Sequence, residues 1–154
     1  MAREKPDIMR HSYLRTMIKY RKYTVCPVAK PRMTKRDTWK GRPCVLRYWA
    51  FRDRVAAKRV DVPQCGWHVV FVMPMPPSWS KAKCGRMNGK PHKQQPDKDN
   101  LEKGLLDAVF GEDKVVWDGW TSKVWGKRGA IWVGKNPAFD EVMTQICREQ
   151  KGGE

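Results

Sequence analysis

Acidic residues are in short supply in this chain: 16 Asp and Glu stand against 32 Lys and Arg, for a formal net charge of +16. So basic a balance points to a polyanionic partner, because Lys and Arg neutralise phosphates and release their counterions. Nucleic acid leads, ahead of a membrane surface or a structural role in a larger particle. Paired cysteines are missing too. Cys26, Cys44, Cys65, Cys84 and Cys147 are odd in number, scattered and never spaced C-x-x-C, which supports neither a disulfide framework nor a zinc knuckle and fits a reducing compartment. His11, His68 and His92 form no ligand spacing, and no Ser or Cys nucleophile stands beside a histidine partner. Long apolar runs are absent. The longest, Trp67 to Pro77, holds His68 and three prolines and falls short of the roughly 18 residues a membrane span needs. Met1 to Arg10 carries both signs of charge with no apolar stretch after it, which argues against a secretory signal. A cytoplasmic protein without a membrane partner is expected.

What is present suits one folded domain. The 154 residues are 40% hydrophobic and include eight tryptophans, too many for a disordered chain, while 31% charged residues imply a very polar surface. Residues 1–22 read as a basic arm or short helix, and 23–150 as the domain. Tyr23–Val28 predicts a short strand, followed by a basic loop from Lys30 to Arg42 and an amphipathic helix within Cys44–Val60. Trp67–Met75, rich in Val and Phe, predicts a central strand. Ser78 is the candidate cap of a basic helix over Trp79–Met87. Asp99–Phe110 is the clearest helix, with Leu101, Leu105, Ala108 and Val109 on one face and Gly111 as its stop. Lys114–Trp117 and Trp120–Val133 predict strands, with a hairpin around Lys127-Arg128-Gly129, and Ala138–Arg148 a closing helix. The fold class is α/β, a small mixed sheet packed against helices.

Against so much positive charge, clustered carboxylates stand out. Asp97 and Asp99 lie two apart at a loop-to-helix junction, and in an extended segment residues so spaced project to one side. An oxygen-only site of this kind suits Mg²⁺ or Mn²⁺ better than zinc. The plainer reading makes Asp99 a helix cap, with Glu102 completing a capping box. Lys103, one turn after Asp99, shares its face and can contact a phosphate oxygen or leaving group; the alternative is a surface ion pair. Asp107 continues that face, as an orienting, capping or merely solvated group. Asp118, after Val115-Val116-Trp117, is a candidate third carboxylate or a turn aspartate before Gly119.

The run Lys90 to Val109, including Asp97, Asp99, Asn100, Lys103, Asp107 and Ala108 and followed by Asp118, resembles the RusA family of Holliday junction resolvases. Lys30–Thr34 and Met75–Lys81 resemble segments of phage-type members, so the likeness covers most of residues 23–134. The resemblance implies a homodimeric, Mg²⁺-dependent endonuclease, with Mn²⁺ as a substitute, that nicks two opposing strands of a four-way DNA junction and leaves 5′-phosphate and 3′-hydroxyl ends. It implies Asp97, Asp99 and Asp118 as essential acids and metal ligands, and Lys103 as the active-site lysine. Many members carry two adjacent aspartates at the last position, where this chain has Trp117-Asp118.

Two basic stretches are candidate DNA contacts. One contains Arg32, Lys35, Arg36, Lys40 and Arg42; the other contains Trp79, Lys81, Lys83, Arg86 and Lys90. Trp39 and Trp79 lie among these cations and can stack on an unpaired base, whereas Trp67, Trp125 and Trp132 read as core or dimer interface. The reading is a resolvase acting on branched DNA in a bacterial or phage-infected cell. Its alternatives are a nuclease of the same scaffold preferring other forks or flaps, and a non-catalytic basic nucleic-acid-binding protein.

Overall fold

The Val- and Phe-rich segment becomes an inner strand. In the computed structural model, which describes residues 18–135, β2 (Trp67–Pro74) pairs in parallel with β3 (Gly119–Gly126) and antiparallel with β4 (Ala130–Lys135). On its other side β4 pairs antiparallel with β1 (Tyr20–Tyr23), so the mixed sheet runs β1-β4-β2-β3. Three helices accompany it among the described residues: α1 (Pro43–Ala57), α2 (Lys81–Met87) and α3 (Lys98–Phe110). Pro43 suits the first turn of α1, where its missing N–H costs no helical bond. The C-cap of α3 is Gly111 at φ 74°, a conformation that favours glycine.

Periodicity sets the packing. Val45, Tyr48, Phe51 and Val55 recur every three or four residues and form the buried stripe of α1. Leu101, Leu105 and Leu106 do the same for α3. Tyr48, Phe51 and Val55 of the first stripe and all three leucines of the second join Trp67, Val69 and Phe71 of β2 and Ile131 and Val133 of β4 in one core. Burying a side chain such as Phe71 or Leu105 contributes about 2–3 kcal/mol, which fixes α3, and whatever it carries, over the sheet. Where α1 meets α3, the Tyr48 hydroxyl donates to the Gly104 carbonyl at 3.1 Å. Gly104 has no room for a side chain: a Cβ there would lie 2.9 Å from the Val28 carbonyl oxygen.

Several sequence expectations are corrected. The first strand is Tyr20–Tyr23, not Tyr23–Val28; Pro27 has no N–H to give a ladder, although Val25 is still buried. The end of the expected basic arm thus enters the sheet, and residues 1–17 lie outside the described residues, as does the predicted Ala138–Arg148 helix. Lys114–Trp117 is not a strand, since Asp113–Val115 forms a 3₁₀ turn. No hairpin forms at Lys127–Gly129: β3 and β4 are joined there but lie on opposite sides of β2, and each pairs with that strand rather than with the other. The basic helix begins later than expected, with Ser80 rather than Ser78 as the cap accepting the Lys83 N–H at 3.2 Å. No helix among the described residues is long and apolar enough to cross a membrane.

Candidate active site

The acidic end of α3 is delivered by a connector zipped along the edge of β3. Gly89 donates to the Trp125 carbonyl, Trp125 donates to the Lys90 carbonyl, and His92 donates to the Lys123 carbonyl, at 2.9–3.0 Å. The Lys123 ammonium then donates to the carbonyls of Gln94 and Pro96, both at 2.6 Å. His92 packs on Trp125 with ring centroids 4.0 Å apart. Burial, followed by the nearby Lys123 charge, pushes the His92 pKa down, so the ring stays neutral under the connector. Sequence reading passed over Lys123; its one signal was alternation, with Thr121, Lys123 and Trp125 taking every second position of β3.

Asp97 caps α3 with extended backbone (φ −66°, ψ 149°), and Asp99 lies in the first turn. The expected capping box at Asp99 and Glu102 is therefore not formed, because the cap lies two residues earlier, at Asp97. The extended-segment argument for their convergence also ends at Asp97, since Lys98 and Asp99 are already helical. What joins the two carboxylates is the helix end itself, where the positive pole of the helix dipole and free N–H groups favour negative charge. Asp97, Asp99 and Lys103 are all exposed, the Asp97 side chain makes no capping bond, and none of the three joins the ion pairs found among the described residues. Lys103 follows Asp99 by one turn on the same face. Asp107 does not orient it: Asp107 is buried and paired with the Lys30 ammonium.

Asp118 sits just before β3, half-buried, with Oδ2 accepting the Gly66 N–H at 2.9 Å. Its neighbour Gly119 packs so tightly on Trp67 that a Cβ would fall 2.2 Å from the ring. A cavity of about 300 Å³ opens here, lined by Asp118, Glu102, Asp113, Trp67 and Leu106. Glu102, expected only as a capping residue, instead accepts the Thr121 hydroxyl at 2.5 Å. Glu102 faces Thr121 while Pro96 faces Lys123, so α3 runs antiparallel to β3. Asp118 lines its cavity with Glu102 and Leu106, one to two turns along α3 from Asp97 and Asp99.

The donor chemistry fits a hard divalent cation. Mg²⁺ binds through one or two carboxylates and completes its octahedron with waters and substrate phosphates, a number that Asp97 and Asp99 supply. Among the described residues no three His, Cys, Asp or Glu side chains are grouped so as to hold an ion. The trio Asp97, Asp99 and Asp118 is thus not assembled as a closed ligand set.

The predicted DNA contacts divide. Arg32, Lys35 and Arg36 of the first cluster, and Lys81, Lys83, Arg86 and Lys90 of the second, are exposed. Trp79 is engaged within the protein, 4.8 Å from the Trp125 ring centroid with the Lys83 ammonium 4.2 Å over its own ring. Trp39, by contrast, is 90% exposed. Trp67 and Trp125 are core residues as expected, and Trp132 carries the Lys22 ammonium 5.5 Å from its ring.

Set against known proteins, residues 23–134 match the family model described as endodeoxyribonuclease RusA. No curated protein and no solved structure matches the chain at a significant level.

Proposed function

The chain belongs to the RusA endodeoxyribonuclease family, and from that membership we propose that it is a Mg²⁺-dependent endonuclease that resolves four-way DNA junctions by paired symmetric nicks, working as a homodimer in the cytoplasm of a bacterial or phage-infected cell. The observation that carries this reading is the pair of exposed, unpaired carboxylates at the start of α3, the second of them one turn ahead of Lys103, in a chain of net charge +16. Where cations outnumber acids two to one, carboxylates left without a cation at a helix N-terminus are groups ready to receive one.

Asp97 and Asp99 would hold the ion, with Asp118 as the third carboxylate. When bound, the ion would supply Lewis-acid stabilisation of the scissile phosphate and make an attacking water easier to deprotonate. Lys103 neutralises negative charge that develops on the phosphate or the leaving 3′-oxygen. Free N–H groups in the first turn of α3 add donors for a phosphate oxygen. Lys123 holds the connector carbonyls and so fixes where Asp97 stands. A symmetric pair of subunits supplies two such sites, one per strand.

The test is cleavage of a labelled four-way junction, a replication-fork analogue and a matched linear duplex, in Mg²⁺ or EDTA, by the wild type and Asp97→Asn. Asn caps a helix as well as Asp does, so this substitution removes the charge and spares the helix start. Paired nicks confined to the junction, dependent on Mg²⁺ and lost in the variant, are expected. Preferred cutting of the fork would assign the scaffold to other branched DNA. Tight binding with no cleavage of any substrate would make the protein a non-catalytic binder.

A further inference from the structure

The loop between β1 and α1 holds a tryptophan where water can reach nearly all of it. Trp39 is 90% exposed, although burying an indole is among the largest gains a side chain can offer a fold. The loop around it is braced. Asp37 is only 3% exposed and accepts from the Thr34 N–H and hydroxyl at 2.7 and 2.9 Å and from Arg42 Nε at 2.8 Å. Arg42 Nη2 also reaches the Arg32 carbonyl at 2.5 Å. The Trp39 and Lys40 N–H groups both donate to the Arg36 carbonyl, at 3.1 and 2.9 Å. The backbone carrying the indole is therefore fixed before any ligand arrives, which lowers the entropic cost of binding.

The surroundings specify the ligand. The loop's one acid is buried and neutralised by Arg42, while Lys35, Arg36 and Lys40 remain exposed around an open cleft of about 830 Å³. An exposed indole carried on the same short loop as exposed Lys35, Arg36 and Lys40 matches a nucleobase flanked by phosphates. In a continuous duplex both faces of every base are stacked, so an indole finds a free face only where stacking is broken.

We infer that Trp39 is the stacking contact for an unpaired or unstacked base at the branch point of the DNA, and that Lys35, Arg36 and Lys40 grip the phosphates beside it. Trp79, already packed on Trp125, does not share this role. The inference rests on the branched-DNA reading and adds the element that separates a branch from plain duplex.

It is tested by binding in EDTA, without cleavage, to a four-way junction and a linear duplex carrying 2-aminopurine at the branch point or the matching central position, with sedimentation of each protein. Wild type, Trp39→Ala and Trp39→Phe are compared. Trp39→Ala should weaken junction binding about tenfold with far less effect on duplex, and abolish the 2-aminopurine response at the branch. Trp39→Phe should retain most of both. If wild type and Trp39→Ala prefer the junction equally, the inference falls while the branched-DNA reading stands. If the wild type has no preference for the junction, both fall. A wild-type dimer that Trp39→Ala dissociates would make the exposed indole a self-association contact and also overturn the inference.

Discussion

Asp37, in the 3₁₀ turn Lys35–Thr38, and Asp97, at the start of α3, are both acids in the first turn or cap of a helical segment, yet one is buried beneath its own loop and the other faces solvent. Asp37 spends its oxygens on Thr34 and Arg42 and holds a basic loop in shape. The Arg42 hydrogen bond and then the Thr34 N–H hold its carboxyl well below the usual carboxylate range. Asp97 and Asp99 make no such bond and take part in no ion pair among the described residues. The difference teaches where to look for chemistry in a very basic protein: an acid matched by an arginine is architecture, and an acid left open beside a lysine is available. The two regions also touch. Lys30, at the base of the loop, donates its N–H to the Asn100 carbonyl of α3 and pairs with Asp107, so the basic loop is anchored to the helix that carries the acids.

The largest effect expected is at the open acids. Asp99→Asn should lower the single-turnover cleavage rate at least about a hundredfold, as loss of a key electrostatic group does, while junction affinity holds or tightens because a negative charge has left a phosphate-binding surface. Gel-resolved cleavage and anisotropy measured on one sample separate the two. Where the regions touch, Gly104→Ala should cost about 1–3 kcal/mol through overpacking against Val28 and Lys30, and urea unfolding measures it. A change below a few tenths of a kcal/mol would mean that the contact yields and the regions are not rigidly joined. Unclamping the loop is milder for the fold and acts on binding: Arg42→Ala should lower junction affinity severalfold and leave the saturated cleavage rate nearly intact, which a titration followed by single-turnover kinetics checks.

Acid should erode the two supports in sequence, with the smallest effect. His92 has a depressed pKa, so its contribution is full above the ordinary histidine value of about 6.5 and is lost as pH falls below it. Asp37 is depressed also, so its contribution is full above about pH 4 and is lost on further acidification. Melting temperature against pH should therefore fall in two steps. His92→Gln should remove the upper one only.

The local parts of this picture were legible in the sequence. Helix α3 follows from periodicity, strand β2 from its Val- and Phe-rich composition, and the clustering of Asp97 and Asp99 at the start of α3 from their spacing. Whatever depends on which strand lies beside which was hidden. A glycine-containing turn between β3 and β4 reads as a hairpin until β2 is found between them. The partnership of Glu102 with Thr121, and the place of Asp118 beside Glu102, follow from α3 running antiparallel to β3, which no local pattern encodes. Trp39 and Trp79 look alike in sequence, each among cations. Trp125, distant in the chain, covers one of them and not the other.

The most direct test of this division between open and clamped acids is to measure junction affinity and saturated single-turnover rate for wild type, Asp99→Asn and the double variant Lys35→Ala/Arg36→Ala on one labelled four-way junction. Opposite losses are expected: Asp99→Asn keeps affinity and loses rate, while the loop variant loses affinity and keeps a rate within a fewfold of wild type. Asp99→Asn cleaving at the wild-type rate once saturated, or the loop variant losing rate and retaining affinity, would contradict that division.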